Sequence, residues 1–105
     1  MPPTLPADSR TLVVDLSGVT AAHVRRWALE LTSGLLVGIG SRSEIWALRR
    51  ELAGLENMML VEGARDGIPW RDAYFDCILD AVDTEPSAEM RRVLRPGGCI
   101  YSVQV

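Results

Sequence analysis

Residues 90–103 read MRRVLRPGGCIYSV, and the order of residue types here decides how the rest of the chain is read. Starting slightly upstream, PSAEMRRVL (86–94) predicts a helix with Pro86 near its start, where a fixed φ and a missing N–H do no harm. Pro96-Gly97-Gly98 stops that helix and turns the chain. CIYSVQV (99–105) follows as a strand, with Cys99, Tyr101, Val103 and Val105 alternating against Ile100, Ser102 and Gln104. On the other side of the helix lies FDCILD (75–80), so the stretch closes a strand–helix–strand unit.

The same grammar runs back to the start of the chain. TLVVDL (11–16), LLVGI (35–39) and MMLVE (58–62) are further apolar runs. These runs and FDCILD are mostly continuous rather than alternating, as in strands of a parallel sheet buried on both faces. TAAHVRRWALELTS (20–33) places Ala21, Val24, Ala28 and Leu31 on one helical stripe, ended by Gly34. SRSEIWALRREL (41–52) opens with Ser41 and Glu44 at capping-box spacing and continues with Ile45, Leu48, Leu52 and Leu55. GARDGIPWRDAY (63–74) reads as a loop, because Gly67 and Pro69 interrupt it. The expectation is a three-layer, Rossmann-like, doubly wound parallel α/β sheet forming one domain over residues 11–105. MPPTLPADSR (1–10), with its three prolines, reads as a disordered lead-in.

Composition excludes several function classes. The chain has 105 residues and a net charge of −3, which gives no electrostatic reason to expect nucleic acid. No apolar run approaches the roughly 18 residues of a membrane span, and the cytoplasm is the default location. All 11 basic residues are arginine, so no mechanism that needs a lysine amine operates here. That alone removes a phosphoacceptor receiver domain. Cys77 and Cys99 sit in apolar strands and read as buried free thiols. Two thiols and a distant His23 are not a metal-ligand set, so no metal is expected.

GIGSRS (38–43) is a partial dinucleotide fingerprint, with Gly38 and Gly40 in place but Ser43 where a third glycine belongs. Glu62 lies 22 residues beyond Gly40, near the distance of a ribose-binding acid. Two glycines in a strand-to-helix turn have a plainer backbone explanation, and that explanation is preferred.

The second half of the chain resembles the class I S-adenosylmethionine-dependent methyltransferases. Ile68-Pro69-Trp70 is similar to the family's Leu-Pro-Phe turn, and Phe75-Asp76 to the Phe-Asp pair opening its fourth strand. Arg92-Val93-Leu94-Arg95-Pro96-Gly97-Gly98 is similar to the turn before its fifth. The resemblance covers about residues 11–105. It implies strand order 3-2-1-4-5, without the C-terminal strands six and seven of the full fold, and S-adenosylmethionine as the cofactor.

Laid on the family's Asp-x-Gly-x-Gly-x-Gly turn, LVVDLSGVTAA (12–22) keeps Asp15. Ser17, Val19 and Ala21 stand in the three glycine positions, with Gly18 and Thr20 between them. The family's ribose-binding acid at the end of strand two falls on Gly40, and the adenine-side acid on Ala64, with Asp66 two residues further on. Asp80, Asp83 and Glu85 follow strand four. Cofactor contacts are therefore expected at Asp15, Gly18, Thr20, Gly40, Asp66 and Asp80. His23 is a candidate base whose plainer reading is a solvent-facing first-turn residue; Trp27, Trp46 and Trp70 are candidate stacking residues whose plainer reading is packing. No catalytic residue is identified.

Kept architecture with lost contacts points to a methyltransferase-like protein with impaired or absent cofactor binding, acting as an interaction or assembly module. Strand 99–105 would be a sheet edge, expected to pair with a protein partner, most simply in a homodimer. Two alternatives stand beside it: an active methyltransferase whose site a second subunit completes, and a dinucleotide-binding module using Gly38, Gly40 and Glu62.

Overall fold

Five parallel strands hydrogen-bond in the order β3-β2-β1-β4-β5. They are β1 (Arg10–Val13), β2 (Leu35–Gly40), β3 (Met58–Glu62), β4 (Phe75–Asp80) and β5 (Leu94–Ser102), joined by α1 (Ala21–Glu30), α2 (Arg42–Glu51) and α3 (Ala88–Val93). The structure is a computed structural model that describes residues 5–81 and 85–103. Asp83, Gln104 and Val105, which entered the sequence reading, lie outside the described residues.

Pairing places side chains in rows. Met58, Leu36, Thr11, Cys77 and Cys99 form one row, and Leu60, Gly38, Val13, Leu79 and Tyr101 the next on the same face. Val24, Trp27 and Ala28 of α1 and Ile45 and Leu48 of α2 pack on this face. The opposite face carries Leu12, Val37 and Ile78, packed against Met90 and Val93 of α3 and Ile68 of the 63–74 loop. Burial on both faces explains why the first four strands read as continuous apolar runs.

Each helix starts at a hydroxyl cap. Thr20, Ser41 and Ser87 accept from the backbone N–H three residues on, and each such cap contributes about 1 kcal/mol. α2 has the expected Ser41–Glu44 capping box; His23 and Met90 fill the reciprocal place in the other two. Gly54, at φ +99°, turns the chain after α2.

Three differences from the sequence reading have physical causes. First, the last helix ends at Val93, and Leu94 is already extended and paired with Phe75. Pro96-Gly97-Gly98 then forms an irregularity inside β5 before Cys99 pairs with Cys77, rather than a separate turn ahead of it. Gly97 has φ +83°, and a Cβ on Gly98 would lie 2.8 Å from the Asp76 carbonyl oxygen. Second, Cys99 is exposed, not buried, because among the described residues no helix covers that face beyond β4; Ile100, on the other face, packs with the α3 cluster. Third, order begins before residue 11. Leu5 is 3% exposed and packs in the α1–α2 core, and Ser9 bonds the Thr11 hydroxyl at 2.8 Å.

The two sheet edges differ. At β3, the Arg49 guanidinium donates to the Leu60 carbonyl at 2.9 Å, capping an outward-facing group. At β5, Val103 N–H donates to the Asp80 carbonyl, so Tyr101 and Val103 face β4 and the backbone of Ile100 and Ser102 faces outward. Among the described residues, nothing bonds to those outward groups.

Candidate functional site

The strand order reverses direction between β1 and β4, and ligands of doubly wound sheets bind beyond the C-terminal strand ends at such a switch point. Asp15, just past β1, accepts a hydrogen bond from Ser17 N–H at 2.9 Å, which caps the turn. Gly18 takes the left-handed conformation at φ +75°. Thr20 caps α1, and its hydroxyl lies 2.8 Å from His23 Nδ1, whose ring stacks on Trp27. His23 is therefore engaged in capping.

The three residues in the glycine positions of the turn differ in exposure. Val19 and Ala21 are 8% and 5% exposed and belong to the core that α1 and α2 cover. Ser17 is exposed and donates to Glu44 Oε2 at 3.0 Å.

Glu44 is the residue that pattern reading placed only as a cap. Its Oε1 accepts from Ser41 N–H at 2.9 Å, while Oε2 reaches Ser17, joining the ends of β1 and β2. The Ser41 backbone bond, helped by the two serine hydroxyls and opposed by burial, lowers its pKa. It lines an open cavity of about 320 Å³ with Gly18, Val19, Thr20 and Ala21.

Gly40 is the last residue of β2 and is buried. A Cβ there would lie 2.8 Å from Glu44 Oε1 and 2.9 Å from Leu16 Cβ. The position has neither a carboxylate nor room for one unless Glu44 and Leu16 move. Gly38 is likewise inside β2 beneath Leu60 and Leu16, so neither glycine occupies the strand-to-helix turn. Glu62 is exposed and pairs with Arg42 at 3.4 Å on the outer side of the sheet. Ala64 and Gly67 form an antiparallel bridge that closes a tight loop, with Asp66 exposed at its tip.

Asp80 is 3% exposed at the end of β4, and Arg65 of that loop reaches it. Arg65 Nη1 donates to Asp80 Oδ1 at 3.1 Å and Nη2 to Oδ2 at 3.0 Å. Nη2 also donates to the Glu85 carbonyl at 3.4 Å, and the Ser87 hydroxyl donates to the Arg65 carbonyl. The hydrogen bonds to Asp80, with the charges of Asp80 and Asp15, raise the Arg65 pKa against the opposing effect of burial. Arg65 follows β3 in the chain and its guanidinium reaches the end of β4, the neighbour of β1 at the switch point. Pattern reading missed Arg65, because a lone arginine in a Gly-rich loop carries no spacing signal.

The Ile68-Pro69-Trp70 turn is held from α3. Arg92 donates to the Ile68 and Trp70 carbonyls at 2.8 Å each, and Glu89 accepts from Ile68 N–H at 3.0 Å. Trp70 packs against Tyr74 and Phe75, and Trp27 is core, whereas Trp46 is 63% exposed. Among the described residues, no group of three or more His, Cys, Asp or Glu side chains is placed to hold a metal, and no helix is long and apolar enough to cross a membrane.

No family profile matches the chain. A ubiquinone/menaquinone biosynthesis C-methyltransferase, UbiE, from Nitrosospira multiformis is 31% identical over 115 residues, covering 88% of this chain and 42% of the relative. A solved SAM-dependent methyltransferase from Aquifex aeolicus superposes with TM-score 0.67 at 19% identity, covering 89% of this chain and 55% of the other. The YcgJ protein from Bacillus subtilis gives 0.68 at 22%, covering 93% and 44%. A complex of the Haloferax volcanii Trm112 methyltransferase activator with a methyltransferase gives 0.66 at 23%, covering 90% and 44%. The chain thus spans about half the length of these proteins or less. Strand order and these likenesses agree: the chain has the class I S-adenosylmethionine-dependent methyltransferase-like fold.

Proposed function

We propose that this is a methyltransferase-family module whose own side chains weaken S-adenosylmethionine binding, and that it works by assembly with a protein partner, most simply a second copy joined through β5. The Arg65–Asp80 pair carries the first part. A nucleoside entering between the ends of β1 and β4 meets a guanidinium already committed to Asp80. Gly40 and Ala64 offer no carboxylate, and Asp66 is exposed at a loop tip. A hydrogen bond to a charged group contributes about 1.5–3 kcal/mol, so losing two lowers affinity by about a hundredfold or more.

The outward backbone of Ile100 and Ser102 supports the second part, since an unpaired edge is a template for another strand. Likeness to a methyltransferase solved with its activator is in keeping with a protein partner. A cytoplasmic location accords with two free thiols.

Titration calorimetry with S-adenosylmethionine and its demethylated product is the test. Binding no tighter than about millimolar is expected; micromolar binding would overturn the reading. It would favour an active methyltransferase completed by a second subunit, for which the cavity beside Gly18, Thr20 and Glu44 is the supporting observation. Parallel titrations with NAD and NADP test the dinucleotide alternative at Gly38, Gly40 and Glu62.

A further inference from the structure

Cys77 and Cys99 are direct register partners on the adjacent strands β4 and β5, so their side chains leave the sheet side by side on one face. One is buried and the other exposed. Neighbouring strands lie about 4.8 Å apart. That falls inside the Cα separation of about 4.4–6.8 Å that a disulfide spans.

The surroundings fit a pair of working thiols. Among the described residues no helix covers this part of the face, so a small molecule reaches Cys99 directly. The backbone of Cys99 faces β4, so the outer edge of β5 is not needed to expose its side chain. Ser9 lies near enough to Cys77 to act on its titration, and Cys99 near enough to Tyr101 to act on that of the phenol, which places polar neighbours around both. Burial is the main cause pushing the Cys77 thiol up, whereas Cys99 is open to solvent, so an outside disulfide meets Cys99 first.

We propose that Cys77 and Cys99 are a reversible oxidation site that takes small-molecule disulfides and closes a covalent tie between β4 and β5. The Cys99 thiolate attacks one sulfur of the small disulfide, breaking its S–S bond, releasing one thiolate and leaving a mixed disulfide. Cys77 passes its proton to the departing thiolate and attacks the Cys99 sulfur, expelling the second small thiol. Two protein thiols lose two electrons, and one small disulfide becomes two thiols. Side chains on parallel strands leave the sheet with a separation close to the strand spacing, wider than the about 3.5–4.5 Å that disulfide Cβ atoms prefer. The tie is therefore strained and easily reduced, as regulatory disulfides are.

The test incubates the full chain with oxidised glutathione, blocks remaining thiols and reads intact and peptide masses. The expected product is the chain less two hydrogens, with Cys77 and Cys99 in one linked peptide. Cys77→Ser should stop at a glutathione adduct on Cys99, and Cys99→Ser, a change at an exposed position, should give neither product. Phenylarsine oxide, which bridges two neighbouring thiols, should bind the wild type one to one and neither variant. A wild-type chain that ends as the Cys99 adduct, as a Cys99–Cys99 dimer, or with both thiols free overturns the proposal. So does failure to bind the arsenical.

Discussion

Arg65 holds Asp80 with two parallel hydrogen bonds of 3.1 and 3.0 Å, joining the loop after β3 to the end of β4. Asp80 is 3% exposed and the Arg65 side chain 23%, so the pair is partly shielded from water. Removing one member leaves the other with a desolvated charge, which is where the energetic consequence lies.

Arg65→Ala should therefore destabilise the domain by about 2–3 kcal/mol, below the range for fully buried pairs because Arg65 keeps some solvent. Arg65→Lys should recover part of this, since a point charge replaces the fork without its paired geometry. Urea unfolding of the three proteins checks both; equal midpoints for wild type and Arg65→Ala would show that the pair contributes nothing.

Restoring an acid at the end of β2 should fail as a repair. Gly40→Asp drives a Cβ to 2.8 Å from Glu44 Oε1 and 2.9 Å from Leu16 Cβ. Overpacking of that kind costs about 1–3 kcal/mol. The expected result is a lower melting temperature with no gain in nucleoside affinity, read by calorimetry on the same sample.

Acid should weaken the fold through two glutamates. Ser41, chiefly its backbone N–H, lowers the Glu44 pKa, and the Arg92 hydrogen bonds lower that of Glu89, both from an ordinary value near 4.5. A carboxyl whose folded pKa is depressed stabilises the fold above its unfolded pKa, and that contribution disappears as pH falls through the folded value. Denaturant midpoints should thus drop from about pH 5 downward. Glu44→Gln and Glu89→Gln should each flatten the drop; unchanged slopes in both would place the acid sensitivity elsewhere.

Ser102→Pro probes the open edge. The Ser102 N–H faces outward, so proline removes a donor that β4 does not use. Sedimentation at high protein concentration should show a wild-type dimer that the variant weakens, with helix and strand content unchanged. A monomeric wild type removes the homodimer, and an equally tight variant dimer moves its interface away from β5.

The sheet was readable because its determinants are local and redundant. Continuous runs such as MMLVE and FDCILD match β3 and β4 residue for residue, and Ser41 with Glu44 announces a capping box that is present. Strand order followed from the resemblance carried by Ile68-Pro69-Trp70, Phe75-Asp76 and the Arg92–Gly98 stretch. What escaped depends on contacts far apart in the chain. Arg65 finds Asp80 fifteen residues away. Val19 and Ala21 share a core cluster with Leu36, Leu48 and Leu60 of later elements. Exposure at Cys99 depends on which face lacks a helix, and alternation along CIYSVQV does not tell one face from the other. At the site, Asp15, Gly18 and Thr20 fall on the first turn as expected, but their recorded bonds shape the turn itself.

Arg49 on the Leu60 carbonyl has a consequence for how large any assembly grows. A sheet with two sticky margins can add copies without limit and lengthen into a fibre. Here the chain's own arginine already takes one acceptor on the β3 margin, which makes that margin the less adhesive of the two. Two such sheets joined across a dyad through β5 would use up both open β5 margins at once, and a further copy would have to add at β3, where Arg49 already holds the Leu60 carbonyl.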